Sequence, residues 1–213
     1  YIMMLIIAPA TSFAQVSIIR PDVVDARSMK ALNGKVIYGS EGALQWTYEL
    51  YATDGTAAGT YMVKDINPFS SDDLFSWATS SRTDGLQYEN YVYKSNLYFY
   101  ADDGVHGMEL WKSDATNAGT NLFYEFNSGM MGWDFSDNKV PTFCEMNNLL
   151  YMNAGNMSNG NELWVTNGSS SGTSQVIDLN PGAASSNPSF LTVYNGKLYF
   201  AATDGVHGWE LYC

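Results

Sequence analysis

Four glutamates recur along the chain and could supply carboxylate chemistry. Glu49, Glu109, Glu162 and Glu210 are separated by 60, 53 and 48 residues, and each begins a Glu-Leu-aromatic tripeptide. Carboxylates along one rim of an assembly could bind a cation or the hydroxyl groups of a sugar. We favour a structural role, because a residue present in every unit serves the scaffold, whereas functional sites usually break the symmetry of a repeat.

The glutamates open a longer phrase that contains a second acidic position. Asp54 and Asp114 follow their glutamates by five residues, and Asn167 stands at the third such place. A short polar side chain here bonds its own backbone two residues on, which predicts a tight turn after a strand. The phrase runs over residues 49–60, 109–120 and 162–173, and it begins again at 210–213. Its markers are Glu49, Glu109, Glu162, Glu210, Asp54, Asp114, Trp111 and Trp164.

Two similar loops carry the candidate metal ligands. His106 and His207 each lie in a Gly-Val-His-Gly segment, with aspartates nearby. Oxygen ligands on loops suit calcium, but no segment has the regular spacing of a D-x-D-x-D-G loop. We predict that each histidine packs within its own loop. We predict no cofactor, with bound Ca²⁺ as the alternative. The weak metal candidates are Asp102, Asp103 and Asp204.

Aromatic residues between the units are the candidate ligand contacts. Trp77 and Trp133, with Phe75 and Phe135, lie in segments that do not follow the repeat. A tryptophan on a loop offers a large apolar face that can stack on a sugar ring. Because binding residues concentrate on variable loops, we predict ligand binding by these four side chains. The alternative is that they cap the core beneath long loops.

The elements that carry these residues read as short strands. In the last unit, two runs rich in aromatic and β-branched residues flank Asn195-Gly196, a pair typical of a β-hairpin. The repeated phrase supplies a third strand and a turn, and a fourth strand follows. Four strands in about 48 residues match a propeller blade better than a β-solenoid, whose coils are shorter. We predict an all-β, propeller-like array of four-stranded antiparallel blades, with three units and most of a fourth.

The N-terminal segment and the spacing of the repeat predict how the chain is divided into segments. Small residues at Ser12 and Ala14, after an uncharged apolar run, fit a signal-peptidase site before Gln15. We predict a residual signal peptide at 1–14 and a lead-in at 15–27. Blades with their crossovers then follow at 28–80, 81–140 and 141–188, and a partial blade at 189–213.

The phrases at 49–60, 109–120 and 162–173 resemble the ELWxxDGT repeat of secreted and surface proteins of bacteria, often labelled hyalin-like. The order of hairpins is similar to that of kelch-type propellers. Tyr51 replaces the tryptophan of the repeat, and Ala115 replaces its glycine. The resemblance implies export to the exterior or the cell surface, and a repeated architecture without a defined biochemical role.

Composition narrows the functions that remain. A formal charge of −12 with only ten Lys and Arg residues argues against nucleic acid, whose phosphates are bound by basic side chains. No segment beyond the N-terminal run is long and apolar enough to span a bilayer. We predict a non-catalytic extracellular or cell-surface module for adhesion or for the binding of a glycan or a protein. A glycan hydrolase or lyase with Glu109 and Glu162 as acid and base, or a structural spacer, are the alternatives.

Overall fold

Residues 24–41, 48–68, 90–127 and 142–213 are described by the structure, which is a computed structural model. In this part of the chain, fifteen strands form four separate antiparallel sheets, accompanied by a 3-10 turn at Ser170–Gly172. Three sheets have four strands, and the fourth has three. Strands lie side by side in chain order, so every sheet is a meander. The prediction of an all-β array of four-stranded antiparallel blades, with three units and most of a fourth, is confirmed.

The strand boundaries follow the repeat. The first sheet contains β1 (Val24–Leu32), β2 (Lys35–Glu41), β3 (Tyr48–Thr53) and β4 (Tyr61–Lys64). The second contains β5 (Tyr91–Tyr93), β6 (Asn96–Asp102), β7 (Met108–Ser113) and β8 (Asn121–Tyr124). The third contains β9 (Phe143–Met146), β10 (Leu149–Asn156), β11 (Gly160–Thr166) and β12 (Thr173–Ile177). The fourth contains β13 (Ser189–Tyr194), β14 (Lys197–Thr203) and β15 (Trp209–Tyr212).

A two-residue turn joins the first two strands of every sheet. Asn195 and Gly196 have φ angles of 49° and 70°, and Asn33 and Gly34 have 50° and 76°. Two left-handed residues in succession define the type I′ turn, which suits the twist of a hairpin. Lys94 and Ser95 adopt the same left-handed backbone conformation. This conformation is uncommon for residues other than glycine and asparagine, so no sequence signal marks the turn.

Each sheet has one face for the preceding sheet and another for the following one. In the second sheet, Phe99 and Trp111 pack with the core of the first sheet, whereas Tyr98 and Leu110 pack with that of the third. Alternation along a strand separates these residues, since successive side chains point to opposite faces. Trp164 repeats the role of Trp111 against the second sheet. Among the described residues the core therefore consists of three layers, each lying between consecutive sheets.

Side-chain hydrogen bonds to the backbone tie consecutive sheets together. Tyr93 and Tyr100 of the second sheet donate their hydroxyl protons to the carbonyls of Asn148 (2.5 Å) and Asn153 (3.0 Å) in the third. The ammonium of Lys64 in the first sheet donates to the carbonyl of Thr120 at 2.8 Å. These bonds satisfy carbonyls beside the apolar layers. None of the described residues belongs to a helix long and apolar enough to cross a membrane.

The leucine of the repeated phrase shows how the layers depend on the next sheet. Leu50, Leu110 and Leu163 are 0%, 0% and 4% exposed, whereas Leu211 in the last described sheet is 75% exposed. The four residues hold the same position in the repeat. Leu50 shares its core layer with Val63 of its own fourth strand and with Phe99 of the next sheet, whereas Leu211 has neither neighbour among the described residues, so both contribute to the burial of this leucine.

We expect Leu110→Ala to lower the free energy of unfolding by about 2 to 5 kcal/mol, since the change removes buried methyl groups and leaves a cavity. The matched variant Leu211→Ala changes a solvated side chain and should stay within about 0.5 kcal/mol of the parent. Urea unfolding followed by tryptophan fluorescence measures both. Equal losses in the two variants would contradict this layering of the core.

Candidate functional site

The repeated glutamates are buried acceptors for the backbone of their own sheets. Glu49, Glu109 and Glu162 are 4%, 0% and 0% exposed. Each accepts the backbone N–H of the residue 17 positions later, from Ile66 (3.0 Å), Phe126 (2.6 Å) and Leu179 (3.0 Å). The donors lie just after the fourth strand of each sheet. The carboxylate thus joins the start of the third strand to the segment that leaves the sheet.

The second carboxylate oxygen also has a donor in two sheets. Oε1 of Glu109 accepts the N–H of Asn127 at 3.1 Å, and Oε1 of Glu162 accepts that of Ser186 at 2.8 Å. The hydroxyl of Ser186 donates to Oε2 of Glu162 at 2.5 Å. Because both oxygens are engaged inside the protein, these glutamates are not placed to bind a ligand from solvent.

Burial raises the pKa of these carboxyl groups. Desolvation raises the pKa of Glu109 to about 7, although the N–H groups of Phe126 and Asn127 favour the charged form. Desolvation likewise raises the pKa of Glu162 against the hydrogen bonds from Ser186 and Leu179. The dominant cause is the removal of charge from water. A shifted pKa at these positions is thus a consequence of a structural contact.

The aspartate of the phrase closes a turn. Oδ1 of Asp114 accepts the backbone N–H of Thr116 at 2.9 Å and its hydroxyl at 2.6 Å, and these bonds lower the pKa of Asp114. Asp54 makes the same pair of bonds with Thr56. Asn167 also accepts both bonds, from Ser169. The bonds hold the Asx turn that the sequence predicts, and they need a carbonyl-type oxygen but no charge.

The same turn explains three further residues of the phrase, a threonine, a glycine and the final threonine. Thr116 Oγ1 accepts the N–H of Gly119 at 3.0 Å, and a Cβ atom on Gly119 would collide with the carboxylate of Asp114. The hydroxyls of Ser113 and Thr120 bond each other at 2.7 Å in a buried position. These hydroxyls are not among the residues predicted from the sequence, although the threonine that ends every phrase is a signal for them.

The two histidine loops are closed by their own aspartates. Nδ1 of His106 lies 2.7 Å from Oδ2 of Asp103, whose Oδ1 accepts the backbone N–H groups of Val105 and His106. His207 and Asp204 repeat the pair at 2.7 Å. The hydrogen bonds to aspartate raise the pKa of both histidines. Asp102 accepts the N–H of Gly104 at 2.7 Å and stabilises the same loop.

Three groups that could hold a metal come together at the last loop. Ligand atoms of Asp204, His207 and Glu210 all lie within 4.8 Å of one another in the described part of the chain. Asp204 already accepts two backbone N–H groups, and Glu210 accepts the hydroxyl of Tyr212 at 2.9 Å. Glu210 is exposed, unlike its three buried equivalents. The cluster therefore offers two carboxylates and one imidazole to a cation.

The structure separates the predicted aromatic residues into two groups. Trp111 and Trp164 are each 6% exposed and lie between sheets. Trp164 contacts Phe126 edge-on, with 4.9 Å between the ring centroids. The predicted ligand contacts Trp77, Trp133, Phe75 and Phe135 lie outside the described residues, as does the predicted signal peptide.

No protein-family model matches the chain, and no curated protein matches it. A solved structure that is similar to it is the crystal structure of the puromycin hydrolase S511A mutant complexed with PGG. The two chains are 12% identical, with a TM-score of 0.38. The match covers 84% of this chain and 25% of the hydrolase, so the chain spans about a quarter of that protein. A similarity at this level tells nothing about the function of the chain.

Glu109 should make the stability depend on pH. Its pKa rises from 4.5 to about 7 on folding, so the folded state binds more protons between these values and loses stability as the pH rises through them. We expect a loss of up to about 3 kcal/mol between pH 4.5 and 8 from this group. In Glu109→Gln that component disappears, because no charge remains to be buried. Urea unfolding at several pH values measures it.

Glu145→Gln is the control, because Glu145 is an exposed carboxylate in the third sheet. Its profile should run parallel to that of the parent protein. Parallel profiles for the parent and Glu109→Gln would show that Glu109 does not titrate with folding.

Asp114 allows a test of the turn that separates charge from hydrogen bonding. Asp114→Ala removes the acceptor for two bonds and should cost about 1 to 2 kcal/mol of unfolding free energy. Asp114→Asn keeps the acceptor, as Asn167 does in the third sheet, and should stay within about 0.5 kcal/mol. Thermal unfolding at pH 7 compares them. If the asparagine variant were as unstable as the alanine variant, charge and not the hydrogen bonds would hold the turn.

Proposed function

We propose that the chain is a non-catalytic module of the cell surface or exterior, which binds a glycan or a protein and contributes to adhesion. The observation that carries this proposal is the engagement of the repeated polar residues by the protein itself. Glu109 and Glu162 are fully buried and bonded to backbone, and Asp114 holds a turn. The regular part of each unit is accordingly scaffold, and binding falls to the segments that differ.

The same contacts argue against a hydrolase that uses Glu109 and Glu162. An acid and a base must both reach a substrate, at about 5 to 10 Å from each other across a cleft. Both side chains are 0% exposed, and backbone N–H groups occupy their oxygens. The binding module therefore agrees with the geometry better than the enzyme does.

The resemblance to the ELWxxDGT repeat of secreted and surface proteins supports a location outside the cell. The net charge of −12 also suits a module exposed to solvent, since a net charge far from zero keeps a protein soluble. Calcium at the exposed cluster of Asp204, His207 and Glu210 would be an addition to this role. Two carboxylates and one imidazole nitrogen are also ligands that zinc accepts, so the donor set does not favour calcium.

The aromatic residues Trp77 and Trp133 are the proposed contacts, and their substitution tests the function. We expect Trp77→Ala and Trp133→Ala to weaken binding to a glycan array or to isolated cell walls by about tenfold each, which corresponds to about 1.4 kcal/mol. Trp209→Ala is the matched control, since Trp209 is 62% exposed but lies in the repeat.

Binding that both loop variants retain in full would remove these residues from the site. If the parent chain bound neither a glycan nor a protein, the alternative of a structural spacer would be favoured. Circular dichroism of each variant should show unchanged strand content, so that a loss of binding reports on the contact.

A further inference from the structure

A five-residue loop links the second and third strands and is built alike in three sheets, at 103–107, 156–160 and 204–208. The side chain of its first residue accepts the backbone N–H groups two and three positions later. This Asx turn closes each loop from within. The N–H of the second loop residue takes no part in the turn, and its acceptor differs between the sheets.

Two of the loops bond this N–H to a side chain of their own sheet. The N–H of Gly104 donates to Oδ1 of Asp102 at 2.7 Å, and that of Gly205 donates to the hydroxyl oxygen of Thr203 at 3.1 Å. In both cases the acceptor comes two positions earlier in the chain. The third sheet has Gly155 at this place, and a glycine has no side chain that could accept the bond.

The third loop takes its acceptor from the second sheet instead. Oδ1 of Asn127 accepts the N–H of Met157 at 2.8 Å, and Nδ2 of Asn127 donates to the carbonyl of Gly155 at 3.4 Å. The backbone N–H of Asn127 donates in turn to Oε1 of Glu109 at 3.1 Å. A side chain at position 155 could not take over, because a Cβ atom there would lie 2.7 Å from the carbonyl oxygen of Gly160.

The equivalent asparagines of the first and third sheets also lie against the next loop. A Cβ atom on Gly104 would be 2.9 Å from Oδ1 of Asn67, and one on Gly205 would be 2.5 Å from Oδ1 of Asn180. These two glycines have φ angles of 77° and 78°, whereas Met157 at the same place is not left-handed. The third loop therefore has a different backbone conformation at the residue whose N–H meets the neighbouring sheet.

A second bond holds the third loop to its own fourth strand. Nδ2 of Asn159 donates to Oε1 of Gln175 at 2.8 Å, whereas the other two loops have a histidine there that bonds their own aspartate. Met157 is 65% exposed, so apolar packing contributes little at this point. Segments with few buried apolar contacts open at a low free energy. The order of this loop accordingly rests on hydrogen bonds to elements outside it.

We propose that residues 156–160 form a latch between the second and third sheets, and that Asn127 holds the latch closed. When Asn127 moves away from the third sheet, the N–H of Met157 loses its acceptor and the latch opens, while the rest of β10 and β11 stays paired. The loop at 103–107 has no such dependence, because its acceptor Asp102 belongs to its own sheet. By linkage, a partner that binds only the closed latch would strengthen the docking of the two sheets. This device is separate from the contacts at Trp77 and Trp133.

Amide hydrogen exchange of the intact chain, resolved by NMR, tests the latch. We expect Asn127→Ala to speed the exchange of the Met157 amide at least about fivefold, as the loss of one hydrogen bond predicts, and to leave the Gly104 amide unchanged. Asp102→Ala should speed exchange at Gly104 and leave Met157 unchanged. Asn127→Asp keeps an acceptor oxygen, so its Met157 amide should exchange at least about threefold more slowly than in Asn127→Ala.

Asn121→Ala is the matched control, since Asn121 lies in the same sheet and its side chain donates to the carbonyl of Ala118 in its own turn at 2.8 Å. Its Met157 amide should exchange as in the parent.

Three results would overturn the proposal. Unchanged exchange at Met157 in Asn127→Ala would show that Asn127 does not hold the loop. An equal rise for the paired amides of β11 would show that the third sheet opens as a whole and that no separate latch exists. A rise at Met157 in Asp102→Ala as large as that in Asn127→Ala would show that the two loops are not held separately.

Discussion

The hydrogen bond from a departing backbone N–H to a buried glutamate is the interaction on which the first three sheets depend. The chain leaves its fourth strand at a point where the N–H of Ile66, Phe126 or Leu179 has no strand beside it. A buried amide without an acceptor costs about as much as a lost hydrogen bond. The glutamate that begins the third strand supplies the acceptor, and in doing so it ties the exit of the chain to the centre of the sheet.

A charged group at this place is destabilised by the burial that makes it useful. The pKa of Glu109 is raised because its carboxylate must leave water to accept the N–H groups of Phe126 and Asn127, and the loss of hydration outweighs these hydrogen bonds. An aspartate side chain would be shorter by one methylene, and glutamine would present only one acceptor oxygen. Two acceptor oxygens on a long side chain satisfy two N–H groups at once, which accounts for the glutamates at positions 109 and 162.

Much of the architecture could be read from the sequence because its signals are local. Asn195-Gly196 predicts a type I′ turn from the conformations these residues tolerate, and the meander follows from the turns. Asp114 was interpreted correctly as a turn residue for the same reason. Lys94-Ser95 forms an equal turn without a signal, since the pairing of its strands imposes the conformation. The bond between Glu109 and the N–H of Phe126 could not be predicted from the sequence, because it depends on how the chain returns to the third strand after 17 residues.

The candidate binding segments were chosen by a different kind of inference. Trp77 and Trp133 stand out because they interrupt the repeat, which indicates where units differ and not what they contact. Ser186, by contrast, bonds Glu162 through both its N–H and its hydroxyl, and nothing in its local sequence distinguishes it from other loop serines. Long-range partners of this sort are set by the packing of the whole unit.

The unlike faces of each sheet give the array a direction. In both layers that contain a repeat tryptophan, the tryptophan face of one sheet packs against the leucine face of the sheet before it. Such head-to-tail contacts are heterologous, and they repeat without an internal limit unless the rotation per unit closes a ring. Gene duplication of one whole unit would thus extend the array without creating a new kind of interface, whereas loss of part of a unit would leave two faces unmatched. The ladder of sheets is in this sense a structure that can change its length more easily than its pattern.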